Sequence, residues 1–182
     1  MKLNAKQLRA LMVEEDNLEE VRKQIQSQRK DLYIILDNVL DTYNIGSVFR
    51  LADGVGAKKV LLCRGSETPP NHRIKKASIN TTEWVDWQYF ESTTTAIETL
   101  RREVPGIQVV AVELTDQAVP YDKFDYHYPV AVVVGHETDG VSQDVIDLCD
   151  ATVELPMNGI NISLNVMVSL AIVLYKVIEK AE

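Results

Sequence analysis

Residues Pro129-Val130-Ala131-Val132-Val133-Val134 form an unbroken, mostly β-branched apolar run that stops abruptly at Gly135 and a polar turn. A strand with one wet face alternates apolar and polar residues. A run without that alternation is suited to a sheet covered on both faces, as parallel sheets are in α/β proteins. The neighbouring segments agree. Leu32–Leu36, Lys59–Cys63, Gln108–Leu114 and Ala151–Leu155 read as further strands, and Trp84–Phe90 as an edge strand. Between them lie helical stretches: Ile45–Val55, ended by Gly54 and Gly56; a helix through Arg102 led by Ser92-Thr93-Thr94-Thr95 and closed by Pro105-Gly106; Ser142–Cys149; and Ser163 to about Lys180. The order predicts an α/β fold, a mostly parallel sheet flanked by helices.

At 182 residues the chain fits one domain with a sizeable core. Residues 32–182 carry that domain. Residues 1–31 read as a helical extension, with Leu8, Leu11, Met12, Leu18, Val21 and Ile25 at mostly three- and four-residue steps. The polar stretch 64–82 is long for a plain connection, and 116–128 reads as irregular. No apolar run reaches the roughly eighteen residues a membrane span needs, and the N-terminus lacks a signal-peptide core, so a cytoplasmic location is expected. Cys63 and Cys149 have neither CxxC spacing nor a His cluster nearby, which favours reduced thiols.

The last helix carries a second message. Leu164, Val166, Met167, Val168, Leu170, Ala171, Ile172, Val173, Leu174, Val177 and Ile178 occupy nearly every side of it. One face can pack on the sheet; the other is expected to cover a second copy of the chain, giving a homodimer. Charge is also uneven. The net formal charge is −8, yet residues 50–76 hold Arg50, Lys58, Lys59, Arg64, Arg73, Lys75 and Lys76 against Asp53 and Glu67. Such a basic segment either attracts a polyanion or is a solvated face, and composition leaves both open.

Three polar loops stand at predicted strand ends, where open α/β folds bind ligands. The first is Asn44-Ile45-Gly46-Ser47-Val48-Phe49-Arg50. Gly46 marks a close backbone approach, Asn44 either caps the helix or touches a ribose or phosphate, and Arg50 has the planar fork suited to phosphate. The second, Gly135-His136-Glu137-Thr138-Asp139-Gly140, places Glu137 where its charge needs a partner, either Arg50 or the helix starting near Val141. His136 reads as a solvated or backbone-bonded side chain. The third runs from Leu155 through Pro156, Met157, Asn158, Gly159, Asn161, Ser163, Leu164 and Asn165 into the apolar helix. No His, Cys or carboxylate cluster has metal-ligand spacing, and Gly54-x-Gly56 is no dinucleotide fingerprint.

Together the three loops resemble the SpoU/TrmH family of RNA 2′-O-ribose methyltransferases in the SPOUT superfamily. The likeness covers residues 32–178. Asn44, Gly46 and Arg50 are similar to its first motif, and Gly135, Glu137 and Gly140 to its second. Pro156, Met157, Gly159, Ser163, Leu164, Asn165 and Val166 are similar to its third. Leu114–Val119 with Asp125-Tyr126 is similar to the tRNA-directed group. The resemblance implies a C-terminal deep trefoil knot, a homodimer through the terminal helix, and S-adenosyl-L-methionine as cofactor, with methylation of a ribose 2′-hydroxyl in structured RNA. It implies cofactor contacts, largely from main chain, around Leu114, Gly135, Leu155, Met157, Ser163 and Leu164. It also implies catalytic roles for Arg50, Asn44, Glu137, Ser163 and Asn165. Without metal, Arg50 would grip phosphate and developing alkoxide while Asn44, Ser163 and Asn165 orient the ribose. Lys58, Lys59, Arg64, Arg73, Lys75 and Lys76 would meet the RNA. A chain ending soon after the last helix, without the separate N-terminal domain of rRNA-directed relatives, points to tRNA; a non-catalytic RNA binder on the same scaffold is the alternative.

Overall fold

The computed structural model of the protein describes residues 18–180, so Leu8, Leu11 and Met12 of the expected extension lie outside the described residues. Strands β1 (Lys30–Asp37), β2 (Ala57–Cys63), β3 (Asp86–Phe90), β4 (Gln108–Val112), β5 (Val119–Pro120), β6 (Val130–Val134) and β7 (Ala151–Glu154) form one seven-stranded sheet. Its order is β3-β2-β1-β6-β4-β7-β5, with every pairing parallel. The helices are α1 (Leu18–Ser27), α2 (Thr42–Val55), α3 (His72–Ser78), α4 (Thr93–Glu103), α5 (Gln143–Ile146) and α6 (Val166–Lys180).

Strand periodicity divides the core into two halves. Leu32, Ile34 and Leu36 of β1 face Val48 and Phe49 of α2 and Leu170, Val173 and Leu174 of α6. Tyr33 and Ile35 point the other way, onto Ala96, Ile97 and Leu100 of α4 and Val145 of α5. All five residues of β6 are buried, as its unbroken apolar run requires. Removing each of its four valine side chains from water is worth about 1.5–3 kcal/mol, so the two-sided burial of β6 is a principal stabilising feature.

Several boundaries differ from the sequence reading, each for a local reason. Helix α2 starts at Thr42 because Asp41, not Asn44, is its N-cap: the Asp41 carboxylate accepts from Tyr43 N at 2.7 Å and Asn44 N at 3.4 Å. Asn44 is therefore inside the helix. The stretch 64–82 is not one loop, since Asn71 caps α3 through Arg73 N and Ile74 N, and a 3-10 turn follows at Thr81–Glu83. Trp84 lies outside β3, β4 stops at Val112, and the irregular 116–128 contains β5. Only Gln143–Ile146 of the expected Ser142–Cys149 helix is α-helical.

Gly46 is the point where α3 lands on α2. A Cβ there would stand 2.6 Å from both Ala77 Cβ and Ile74 O. The close approach inferred from the sequence is thus to protein backbone. Replacing Gly46 with Ala is expected to destabilise the fold by about 1–3 kcal/mol through overpacking, read as a lower urea midpoint at unchanged slope.

At the amino ends of the strands, the chain entering β1 is tied down by arginines. Arg29 donates to Trp84 O at 2.9 Å and pairs with Asp53 at 2.8 Å, while Arg22 pairs with Glu83 at 3.1 Å. These anchors fix α1 at the edge of the sheet opposite the strand ends that carry the site. Both cysteines are free thiols, and burial pushes each up to about 12, far from thiolate chemistry. Among the described residues no helix is long and apolar enough to cross a membrane, and no group of His, Cys, Asp and Glu could hold a metal.

Candidate functional site

The carboxyl ends of β1, β4, β6 and β7 lie side by side in the sheet, so the turns that leave them meet. Between them is a cavity of about 630 Å³, lined by residues from Val112–Leu114, Val134–Gly140 and Val153–Met157 and by much of the segment up to Ser169. Leu114, Gly135, Leu155, Met157, Ser163 and Leu164, the residues expected around a cofactor, all line it. Glu137 line it as well, whereas Asn44, Asn165 and Arg50 are not among its lining residues.

A hydrogen-bond relay joins the three loops behind that cavity. Asn165 Nδ2 donates to Asn44 Oδ1 at 3.1 Å, and Asn44 Nδ2 donates to Glu137 Oε1 at 3.1 Å. Glu137 also accepts from Asp41 N at 3.0 Å and Leu40 N at 3.1 Å. An ionised carboxylate only accepts, so Asn44 must present its NH₂ to Glu137 and its oxygen to Asn165. Asn165 closes the far end, its Oδ1 accepting from Met167 N at 3.0 Å in the first turn of α6.

Asn44 is buried with one hydrogen bond at each end of its amide, so it holds the first loop to the other two. The expected partners of Glu137 are corrected by this geometry. Glu137 is paired neither with Arg50 nor with the helix beyond Val141. It serves the backbone N–H groups entering α2, where the positive end of a helix suits a carboxylate. Burial opposes ionisation of Glu137, but the N–H of Asp41, the Asn44 amide and the N–H of Leu40 outweigh it and hold its carboxyl below the usual range.

The second loop is a tight turn in which His136 and Gly140 exchange two backbone hydrogen bonds of 2.9 Å. Gly140 has φ of 71°, and a Cβ there would fall on the Glu113 carboxylate. His136 Nδ1 accepts from Thr138 N at 3.1 Å and Asp139 N at 3.2 Å, so this nitrogen is occupied by the turn itself.

The expected RNA-contacting bases divide. Lys58 pairs with Asp31 at 2.6 Å, a bond that raises its pKa, and Lys59 lies within 3.5 Å of Gln88; both sit toward the start of β2, away from the cavity. Arg64 is engaged by Asp37 at 3.1 Å and Asp144 at 2.7 Å. Arg73, Lys75 and Lys76 are exposed on α3, which packs on α2, and Arg50 is exposed on α2. The side chains of these four make no hydrogen bond or ion pair among the described residues. The sequence reading missed Asp37 and Glu113. Asp37 is 1% exposed and accepts from Thr93 Oγ1, Ser142 N and Ser142 Oγ, pinning the end of β1 to the starts of α4 and α5. A carboxylate closing an apolar strand, as both do, was the available signal.

With this geometry in place, comparison with known proteins is direct. The profile of the SpoU rRNA Methylase family matches residues 31–175. The tRNA (guanosine(18)-2′-O)-methyltransferase of Aquifex aeolicus is 30% identical over 168 residues, covering 91% of this chain and 77% of that protein. The crystal structure of the A. aeolicus TrmH/SpoU tRNA modifying enzyme superposes with a TM-score of 0.77 at 28% identity, over 90% of this chain and 83% of that one. The SpoU methyltransferase AviRb from Streptomyces viridochromogenes in complex with AdoMet gives 0.74 at 25% identity, covering 83% of this chain and 58% of AviRb. An α/β chain with the three loops in register across its strand ends, matched over most of its length, belongs to the SpoU rRNA methylase family.

Proposed function

We propose that the chain transfers a methyl group from S-adenosylmethionine to a ribose 2′-hydroxyl of structured RNA, tRNA in preference to rRNA. The observation that carries this reading is that the second and third loops meet around one cavity while the Asn165–Asn44–Glu137 relay ties the first loop to both. The cavity suits such a donor. Its volume lies within the roughly 300–1,000 Å³ of small-molecule sites, and its charged lining consists of Glu113, Glu137, Asp139 and Glu154 with neither Lys nor Arg among the described residues. That favours a cationic sulfonium. When bound, the donor supplies an electrophilic methyl carbon. Leu114, Gly135, Leu155, Met157 and Leu164 would hold it, and Ser163 at the rim would orient the ribose.

Arg50 acts from outside the cavity, its fork gripping the phosphate beside the target ribose and stabilising oxygen as it loses its proton. It is not a base, because guanidinium stays protonated at pKa above about 12. Arg73, Lys75 and Lys76 extend the basic surface for RNA, and Glu137, Asn44 and Asn165 are positioning residues. The name of the A. aeolicus relative specifies guanosine 18 of tRNA, which makes that nucleotide a first substrate to test. The C-terminal part is read as a deep trefoil knot; the position of β7 between β4 and β5, which starts the chain leaving β7 beside the β4–β5 connection, is compatible with it.

A homodimer covers the outer face of α6. Leu170, Val173, Leu174 and Val177 are buried against the sheet, while Val168 and Tyr175 remain 39% and 56% exposed. Changing Val168 to Glu is expected to give monomers in analytical ultracentrifugation where the parent sediments as a dimer. The activity itself is tested by incubating the chain with radiolabelled methyl donor and total tRNA and rRNA. Label in a 2′-O-methylnucleoside supports the reading; RNA binding without label from either pool would make the chain a non-catalytic RNA binder.

A further inference from the structure

Glu113 occupies an unusual place at the end of β4. Its Oε1 accepts from Leu114 N at 3.0 Å and its Oε2 from Val141 N at 2.7 Å, so one carboxylate spans two lips of the cavity. No basic side chain pairs with it among the described residues. Glu137 is spent on the turn before α2 and on Asn44, and the Asp139 side chain is 80% exposed beside His136. Glu154 ends β7 with no hydrogen bond to its carboxylate among the described residues, so of the lining acids Glu113 is the one held by backbone N–H groups from two separate lips. An ionised carboxylate offers about four acceptor positions, and Glu113 uses two on backbone. What remains is a fixed negative charge in the wall of the cavity. Gly140 preserves the space for it, since any side chain there would collide with the carboxylate.

We infer that Glu113 is a specificity-determining residue that makes the cavity prefer a cationic sulfonium ligand over its neutral thioether counterpart. The inference rests on the proposed reading of the cavity as the S-adenosylmethionine site. In methyl transfer the methyl–sulfur bond breaks with its electron pair kept on sulfur, a carbon–oxygen bond forms to the ribose, and the hydroxyl proton leaves to solvent. The ligand thereby loses one positive charge while Glu113 keeps its negative one. An attraction present before transfer is absent after it, and the spent ligand is held less firmly. Because two backbone N–H groups fix the carboxylate beforehand, it needs no reorganisation to act.

The test is calorimetric titration of the full chain with S-adenosylmethionine, S-adenosylhomocysteine and sinefungin, whose protonated amine replaces the sulfonium. In Glu113→Gln the two cationic ligands are expected to weaken by about tenfold and the neutral one by under about twofold, so the product-to-donor Kd ratio falls by at least about fivefold. Glu113→Asp retains the charge on a shorter stem; it is expected to keep the parent ratio even if its hydrogen bonds, and all three affinities, suffer. Equal weakening of all three ligands in Glu113→Gln, or the same change of ratio in both variants, would overturn the role and leave Glu113 a brace between the lips. Absence of binding by every ligand to the parent protein would instead overturn the reading of the cavity.

Discussion

Arg50→Lys is expected to fold normally, bind S-adenosylmethionine as the parent does, and lose about 10²-fold in methyl transfer, on the scale of removing one oriented donor from a charge-stabilising site. The reason lies in where Arg50 stands. It is exposed on α2, outside the cavity lining, and its side chain has no protein partner among the described residues. Little in the fold depends on it. Lysine keeps the charge but not the planar fork that holds two phosphate oxygens at once. Single-turnover rates with saturating donor, beside thermal melting, separate the chemistry from stability. Near-parental rates in Arg50→Lys would mean that bidentate geometry plays no part, and a large drop in melting temperature would mean the residue is structural.

Glu137→Ala is expected to produce the second large effect, by a different route. It strands Leu40 N, Asp41 N and the Asn44 amide together. An unsatisfied donor costs about 1–3 kcal/mol when buried, less at a partly wet site, so a total of about 2–4 kcal/mol is expected. Donor affinity should fall with stability, because the same relay fixes the loops that line the cavity. The pH dependence has a definite sign. The folded-state pKa of Glu137 is lowered, so its contribution is complete above the ordinary carboxylate value and is lost as pH falls through the folded one. Denaturant midpoints compared from neutral to acidic pH should therefore show the gap between parent and Glu137→Ala narrowing toward acid. A gap that stayed constant would place the stabilisation in something other than the charged carboxylate.

The layers of this fold were legible wherever periodicity was strong. The apolar run of β6 foretold burial on both faces, and the apolar terminal helix foretold α6 with a second, unfilled face. Helix starts were less readable because capping depends on which carboxylate the backbone can reach. Asp41 and Asn44 are both plausible caps in sequence, and only the turn geometry decides for Asp41. The stretch 64–82 looked like loop because its polar residues conceal a single buried apolar side chain, Ile74, that seats a two-turn helix on α2.

For the site, local pattern located the three loops but not their wiring. Arg50 was the natural charge partner for Glu137 in one dimension. In three, backbone N–H groups at the start of α2 lie closer and need an acceptor. Glu113 and Asp37 carried no motif, since each is a lone acid at a strand end, and the partners that tie them to the loops after β6 are 28 and 105 residues away in the chain. The basic segment was a feature of sequence more than of surface: Lys58 and Arg64 are held in ion pairs, leaving Arg50, Arg73, Lys75 and Lys76 as the exposed part.

The central claim is that the turns leaving β4, β6 and β7 enclose one methyl donor, and hydrogen exchange with and without S-adenosylmethionine tests it most directly. Joint slowing of amides at Glu113–Leu114, Gly135–Val141 and 155–164, saturating at one donor per chain, is the expected result. Protection limited to one of these loops, or centred instead on the residues around Trp84 at the opposite strand ends, would contradict it.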